Sequence, residues 1–106
     1  MGAERRRFPR YQLIADAEIV NPLSHLSSKG RTSDMSLVGC FINTTNTLPP
    51  GTEIQLQFNY KGAILKTKGA VVRSEPSMGF GVSFVRMKSV EETLLKKWLF
   101  EHEHGN

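Results

Sequence analysis

The sequence predicts a mainly β protein: a six-stranded antiparallel β-barrel with one C-terminal α-helix. One stretch alternates apolar and polar side chains with the two-residue period of a strand that has one buried face. Its apolar members are Ile54, Leu56, Phe58 and Tyr60. Turn-forming residues recur at short intervals, and a run of short antiparallel strands protects its edges best by closing into a barrel. Helical periodicity is confined to the C-terminal part, where one helix is expected.

The predicted strands are separated by segments rich in Ser, Pro, Gly and Asn. Residues 21–30 have this composition and are predicted to form a surface loop after the first strand. Lys61 and Gly62 form a tight hairpin turn. Gly69 lies inside a strand, which predicts a bulge or a barrel bend there. The six predicted strands cover residues 12–20, 30–34, 40–44, 54–60, 63–73 and 80–84.

The C-terminal helix is predicted at about residues 90–103. Ser89 and Glu92 have the spacing of a capping box, in which each side chain bonds a backbone N–H of the other. The apolar residues at helical spacing are Val90, Leu94, Leu95, Trp98 and Leu99. We expect this face to close one mouth of the barrel. The alternative is that the side carrying Trp98 and Phe100 is partly exposed as a surface for a partner.

Length and charge indicate one domain with an anionic partner. The 106 residues are divided into a flexible basic arm at residues 1–11 and a barrel with its helix at residues 12–106. The formal net charge is +4, and the first ten residues, with four Arg and one Glu, supply +3 of it. This asymmetry favours an anion bound at the arm over a generally basic surface.

Other features exclude several classes of function. No apolar run approaches the ~18 residues of a membrane span, and the N-terminus lacks the apolar core of a signal peptide, so we expect a cytoplasmic protein without membrane insertion. The single cysteine, Cys40, excludes an internal disulfide and is expected to be buried. No nucleophile has an identifiable base, and the histidines lack metal-ligand partners. We therefore expect neither an enzyme nor a metal protein.

Two short segments carry the functional signal. Residues 4–11 read Glu-Arg-Arg-Arg-Phe-Pro-Arg-Tyr, and Pro9 biases Phe8 away from helical conformations, so this arm should be extended. Residues 31–41 contain the string Asp-Met-Ser-Leu-Val-Gly. Either segment alone would be a weak signal, since arginine clusters and such strings arise by chance. Their order and short separation make the joint signal strong.

Together the two segments resemble the signature of the PilZ domain family, the bacterial receptor module for cyclic di-GMP. The RRxxxR motif is matched by Arg5, Arg6 and Arg10. The [D/N]xSxxG motif is matched by Asp34, Ser36 and Gly39. Residues 79–84 also resemble the late Gly-x-Gly-Val-x-Phe strand of the family, so the likeness runs from about residue 4 to the helix. The resemblance implies a barrel of the split-barrel type.

The resemblance also implies which residues contact the ligand. The three motif arginines are assigned collectively to phosphate contact, guanine-edge recognition and stacking. Asp34 could accept from the adjacent N1–H and N2–H₂ donors of guanine and so select it over adenine. Ser36 could donate to the ligand. Gly39 would permit either a positive φ or close approach of the ligand to the backbone. Arg7 and Gly81 are additional candidates.

The predicted mechanism is that of a sensor in bacterial second-messenger signalling. Cyclic di-GMP would order the arm on the barrel and so create or hide a surface for a protein partner, with no cofactor besides this ligand. Motility or biofilm regulation is an association of the family. One alternative is a small barrel that binds single-stranded nucleic acid, which the lack of an exposed aromatic platform disfavours. Another is a PilZ-like adaptor without a ligand. Asp34 and Ser36 could then serve to bond turn amides.

Overall fold

The computed structural model describes residues 8–105, so Arg5, Arg6 and Arg7 of the predicted arm lie outside the described residues. Within this range the chain forms six strands followed by one helix. The elements are β1 (Asp16–Val20), β2 (Ser27–Met35), β3 (Gly39–Asn43), β4 (Glu53–Tyr60), β5 (Ala63–Glu75), β6 (Gly79–Val85) and α1 (Ser89–Glu103).

The six strands close into one antiparallel barrel. Around the barrel the order is β1-β2-β3-β6-β5-β4, and β4 pairs in turn with β1. Every strand therefore has two neighbours and no strand of the barrel has an unpaired edge. The predicted fold, a six-stranded antiparallel barrel with a single C-terminal helix, is confirmed.

The core consists of the inward side chains of the barrel together with one face of α1. Phe58 and Phe80 are fully buried, and Phe84 packs edge-to-face on Phe58 with ring centroids 6.0 Å apart. The interpretation of these aromatic residues as core is confirmed. Each fully buried side chain of this size contributes about 1.5–3 kcal/mol to folding.

Helix α1 packs on the barrel through its predicted apolar face. Leu95, Trp98 and Leu99 are buried in the core, and the Trp98 ring lies 5.2 Å from that of Tyr60. These three members of the predicted face pack against the barrel, whereas Val90 was wrongly included because it is 67% exposed. Closure of one mouth of the barrel stays a prediction. Of the side proposed as an alternative partner surface, Trp98 is buried and Phe100 is exposed.

Three local predictions were wrong. The first strand begins at Asp16 and not at residue 12. The capping box does not form, because Lys88 occupies the N-cap position and makes no side-chain cap bond, while the neighbouring Glu91 accepts a hydrogen bond from the backbone N–H of Lys66 at 2.9 Å. The acidic residues of the first turn still complement the helix dipole. The predicted loop at 21–30 is shorter, because β2 already begins at Ser27, where it pairs with Val20 of β1.

Two β-bulges interrupt the regular pairing of the barrel. The first lies on β2, where the register against β3 shifts between Thr32 and Asp34. The second lies on β5, where the register against β6 shifts between Val71 and Arg73. A bulge was predicted near Gly69, and it occurs slightly later in the same strand. Each bulge adds one residue to its strand and so changes the face on which the following side chain lies.

Candidate ligand-binding site

Residues of the two motifs meet in an ion pair on the outside of the barrel. Nη1 of Arg10 lies 2.7 Å from Oδ1 of Asp34, although 24 residues separate them in the chain. The two side chains remain 52% and 33% exposed. An ion pair this accessible contributes at most about 1 kcal/mol to folding. Both groups are therefore within reach of a ligand from solvent.

The backbone of Tyr11 fixes Arg10 beside Asp34. Tyr11 and Met35 exchange two backbone hydrogen bonds, from the Tyr11 N–H to the Met35 carbonyl at 2.9 Å and from the Met35 N–H to the Tyr11 carbonyl at 2.8 Å. This isolated antiparallel bridge attaches the chain to the last residue of β2. Since Arg10 precedes Tyr11 and Asp34 precedes Met35, the bridge brings the two charged residues together.

The side chain of Tyr11 reaches the end of α1. Its hydroxyl donates to Oε1 of Glu103 at 3.2 Å, and its ring meets His102 edge-on with centroids 6.4 Å apart. Partial burial, followed by the hydrogen bond and the negative charge of Glu103, raises the pKa of Tyr11 above its ordinary value. The hydroxyl therefore stays protonated and can donate this bond over the physiological pH range.

Ser36 holds the turn between β2 and β3. Its hydroxyl accepts from the N–H groups of Val38 and Gly39 at 3.1 and 3.2 Å and donates to the Gly39 carbonyl at 3.3 Å. The residue is buried. These are the turn bonds that the sequence left as an alternative to ligand contact, and in this structure Ser36 shapes the turn that follows Asp34.

The packing of the barrel itself requires glycine at position 39; of the two predicted reasons, the positive φ was wrong and close approach of a ligand stays a prediction. Gly39 is extended within β3, and its φ is not positive. A Cβ at this position would collide with the carbonyl oxygen of Val82 on the neighbouring strand β6. Gly39 therefore permits the close approach of two strands of the barrel.

One row of residues crosses four strands on the outer face. Cross-strand pairing joins Asp34 to Phe41, Phe41 to Gly81 and Gly81 to Arg73. The neighbours of Phe41 in β3 are buried in the core, so Phe41 points outward. A Cβ at Gly81 would meet the Arg73 side chain at 3.5 Å on the same face. We call Asp34, Phe41, Gly81 and Arg73 the outer-face row.

The two bulges create this row. Thr32 pairs with Ile42 and is buried, whereas Asp34, two residues later, pairs with the outward-facing Phe41. On β5, Val71 is likewise buried and Arg73 is exposed. In a regular strand, residues two apart share a face. The extra residue in each strand therefore turns a charged side chain from the core to the surface.

The Arg73 side chain starts at the end of the row opposite Asp34 and extends past Gly81 to the ring of Phe41. Its guanidinium carbon is 5.5 Å from the ring centroid of Phe41. Its Nε lies 3.5 Å from Oε2 of Glu75. Sequence reasoning did not place Phe41 and Arg73 on the same surface as Asp34, because their position in the row depends on strand pairing and on a bulge. The alternation of Phe41 with buried neighbours was a signal that could have found the first of them.

The motif cysteine is part of the core. Cys40 is buried, and burial, with the nearby charge of Asp34 as a smaller cause, raises the pKa of its thiol far above the ordinary value. The thiolate, which is the reactive form, is therefore suppressed. Cys40 serves as a small apolar residue on the inner side of β3.

A separate groove of about 670 Å³ lies on the β1–β2–β4 side of the barrel. Its lining includes an ion pair between Arg31 Nε and Asp16 Oδ1 at 3.1 Å, and it contains none of the motif residues. This pair resembles that of Arg10 and Asp34 in chemistry and lies outside the outer-face row. It therefore provides a matched control for experiments on the site.

The described part of the chain has features of neither a metal centre nor a membrane span. Within residues 8–105, no three His, Cys, Asp or Glu side chains are grouped so that they could hold a metal ion. In the same range, no helix combines the length and the apolar character needed to cross a bilayer.

The chain forms a closed antiparallel barrel with one C-terminal helix. Its RRxxxR and [D/N]xSxxG segments meet at Arg10 and Asp34. Together these features define a PilZ-type barrel. The model of the PilZ domain family matches residues 4–101. The chain belongs to the PilZ domain family. No curated protein matches the sequence.

Solved structures share the fold at low sequence identity. The PilZ domain of Escherichia coli YcgR, solved with cyclic di-GMP, has a TM-score of 0.77 and 15% identity, over 94% of this chain and 92% of that one. The PilZ domain of CeSA from a cellulose-synthesizing bacterium has a TM-score of 0.71 and 18% identity, over 90% and 98%. The Bacillus subtilis inhibitor of motility, MotI/DgrA, has a TM-score of 0.76 and 13% identity, over 96% and 53%.

Proposed function

We propose that this chain is a receptor for cyclic di-GMP and acts by binding, without catalysis. The observation that carries the proposal is the 2.7 Å pair between Arg10 and Asp34, which joins the two motifs at one accessible place on the barrel. Membership of the PilZ family and the cyclic di-GMP-bound YcgR domain among the structural neighbours support the choice of ligand.

Asp34 and Arg10 offer complementary chemistry to the two parts of such a ligand. A carboxylate has two oxygens, so Asp34 can hold Arg10 and still accept from the N–H donors of a guanine. Arg10 can donate bidentately to a phosphodiester. In the proposed complex Ser36 and Gly39 act mainly through the turn that they shape, and Gly81 acts by letting the Arg73 side chain lie close to the barrel.

The remaining arm arginines complete the proposed site from the N-terminal side. Arg5 and Arg6, with Arg7 as an additional candidate, lie outside the described residues and are assigned by the motif. Ligand binding would order the arm against the barrel, and the ordered arm would change the surface presented to a protein partner. The coupling can be no larger than the difference in ligand affinity between the two arm states.

The proposed setting is bacterial second-messenger signalling in the cytoplasm. The motility inhibitor among the structural neighbours supports motility as one possible output, alongside biofilm regulation. Nucleic acid is disfavoured as the ligand, because Phe58 and Phe80, which could have formed a stacking platform, are fully buried.

Calorimetric titration with cyclic di-GMP tests the proposal, with cyclic di-AMP and GTP as competing nucleotides. We expect saturable binding selective for cyclic di-GMP, weakened about ten- to 150-fold in Arg6→Ala and Asp34→Ala, because each substitution removes a charge-assisted bond worth about 1.5–3 kcal/mol. Arg31→Ala is the matched control and should bind within about twofold of the wild type.

Absence of binding by the folded wild-type protein would overturn the receptor proposal. Salt-dependent binding of single-stranded nucleic acid, with indifference to cyclic dinucleotides, would then support the nucleic-acid alternative. If neither ligand binds, the adaptor alternative remains.

A further inference from the structure

A second groove, of about 650 Å³, lies on the side of the barrel formed by β1, β4, β5 and the end of β6. Cationic side chains from β5 and from the segment between β6 and α1 line it: Lys66, Lys68, Arg86 and Lys88. All four residues are exposed. Among the described residues that line the groove, the carboxylates are Glu18 and Glu91, so cations are in excess. We call this surface the basic groove.

The cations of the basic groove have no carboxylate partner on the barrel. In the described range none of the four forms an ion pair, whereas Arg10, Arg31 and Arg73 do. The carboxylate of Glu91 is engaged by the backbone, since its Oε1 accepts from the N–H of Lys66 at 2.9 Å. Charges of one sign that line a concave surface attract ligands of the opposite sign. The groove therefore favours an anionic occupant.

The floor of the groove combines amide and apolar side chains. Val20 pairs with Gln55, Gln55 with Lys68, and Lys68 with Val85. This row crosses four strands and so extends about 14 Å, the length of four or five residues of extended chain. The side chains of Gln55 and Gln57 can both donate and accept hydrogen bonds, as a peptide backbone requires. Val85 is 43% exposed and offers an apolar contact.

We propose that the basic groove binds an acidic, extended peptide segment of a partner protein. Carboxylates of the segment pair with the groove cations, its backbone bonds Gln55 and Gln57, and an apolar side chain between the carboxylates contacts Val20 or Val85. Nucleic acid is a poorer fit, because the described lining residues include no aromatic ring on which a base could stack. A bilayer is also a poorer fit, because it is flat and the charges line a concave surface.

This inference does not rest on the proposed function. The lining of the basic groove includes no described motif residue and no member of the outer-face row. Asp34→Ala, which should lose cyclic di-GMP, should therefore bind the peptide like the wild type.

NMR titration of the full chain with a synthetic peptide tests the inference. The probe is Glu-Asp-Leu-Asp-Glu with both termini blocked, and its neutral counterpart is Gln-Asn-Leu-Asn-Gln. We expect saturable shifts of the backbone amides of Gln55, Lys68 and Val85, with a Kd below about 1 mM at low salt. The neutral peptide should bind at least about tenfold more weakly, and added salt should weaken binding of the acidic peptide.

Removal of the groove cations should weaken peptide binding in steps. Lys68→Ala, Arg86→Gly and Lys88→Ala should each cost about two- to fivefold, the effect of one exposed ion pair, and the triple variant about ten- to 100-fold. Arg86 has a φ of +50°, in the left-handed region that favours glycine, so Arg86→Gly should not lower the melting temperature. Lys97→Ala is the matched control, because Lys97 is exposed on α1 outside the groove.

The outcomes separate this inference from its rivals and from the receptor proposal. Absence of saturable shifts in the groove, equal binding of the neutral peptide, or full binding by a folded triple variant would overturn it. So would capture of the protein by phosphatidylserine vesicles or single-stranded DNA through these cations without peptide binding. If the wild type binds the peptide but not cyclic di-GMP, the receptor proposal fails and the inference about the groove stands.

Discussion

The hydroxyl of Tyr11 donates a hydrogen bond to Oε1 of Glu103, at 3.2 Å. The preceding residue, Arg10, pairs with Asp34, the carboxylate of the proposed ligand site. Two adjacent residues near the N-terminus therefore contact two different elements, the end of β2 and the end of α1. A ligand that moves Arg10 acts on a segment that is already bonded to the last turn of the helix.

Replacing Tyr11 by Phe should weaken the link between the ligand site and α1. The ring and the backbone bridge to Met35 are kept, and only the bond to Glu103 is lost, so cyclic di-GMP affinity should remain within about threefold of the wild type. The NMR shift of His102 on ligand addition should become smaller. Tyr60→Phe is the control, because Tyr60 packs on Trp98 elsewhere on the helix. Equal His102 shifts in wild type and Tyr11→Phe would contradict the link.

Replacing Thr32 by Val should destabilise the barrel. The Thr32 hydroxyl is buried, accepts from the Ala15 N–H at 2.8 Å and donates to the Leu13 carbonyl at 2.7 Å. Val has a similar shape but leaves both backbone groups without this partner, so we expect a loss of about 2–4 kcal/mol in the free energy of unfolding, measured in urea. Thr32→Ser keeps the hydroxyl and should lose about 1 kcal/mol. Equal stability of Thr32→Val and wild type would show that these bonds contribute little.

Substitution of two glycines should separate folding from binding. In Gly39→Ala the new Cβ meets the Val82 carbonyl oxygen, and we expect a loss of about 2–3 kcal/mol of stability. In Gly81→Ala the nearest atom, Cγ of Arg73, lies at 3.5 Å, an ordinary contact, so stability should change by less than about 1 kcal/mol. Thermal unfolding checks both values. A fully stable Gly39→Ala would be inconsistent with the close approach of β3 and β6.

The difference in expected stability between Gly39→Ala and Gly81→Ala affects how binding data on these variants should be interpreted. Loss of ligand binding in Gly39→Ala is expected from disturbance of the barrel alone and does not demonstrate ligand contact. Loss of binding in a stable Gly81→Ala would indicate that the ligand depends on the position of the Arg73 side chain, which lies against that residue.

The Cys40 thiol should be inert in the folded protein and should make stability depend on pH in the alkaline range. Burial raises its pKa, so the folded state keeps the proton that the unfolded chain releases above about pH 8.5. The stabilisation is fully present below that pH and is lost as the pH rises, by up to about 1.4 kcal/mol per pH unit. Urea unfolding at pH 7 to 10 checks this slope.

The matched variant for this measurement is Cys40→Ala, which removes the titrating group. Between pH 7 and 10, the free energy of unfolding of this variant should fall less than that of the wild type. Thiol reagents should modify the wild type at pH 8 at the rate of unfolding and should react at once in denaturant. Rapid modification of the native protein would contradict the burial of Cys40.

The strands, the core aromatics and the helix could be predicted from the sequence because each follows from periodicity within one segment. Phe58 and Phe80 show this, since alternation alone placed them inside. The meeting of Arg10 and Asp34 could be expected from the joint motif, but its cause, the bridge between Tyr11 and Met35, could not. Cross-strand partners depend on the register between segments, which local patterns do not determine.

The capping box that does not form and the unpredicted outward position of Arg73 each depend on more than local spacing. The capping box requires Ser89 at the N-cap, but the helix begins one residue earlier, with Lys88 at the N-cap and Ser89 as its first residue. Arg73 is two residues after the buried Val71, so strict alternation would place it inside the barrel. The bulge between Val71 and Arg73 reverses that assignment. Gly69 indicated which strand would be irregular but did not indicate the position of the bulge.

The bulge on β2 makes Ser33 an extra residue between two fixed pairings. If Ser33 were deleted, Thr32 and Asp34 would become neighbours in a regular strand, with Ile42 and Phe41 still opposite them. Adjacent residues of a strand face opposite sides, so Thr32 would stay inside and Asp34 outside. Within this family, a homologue can therefore lack the bulge and keep the same outer surface. Comparisons of such proteins should allow a gap of one residue just before the motif aspartate.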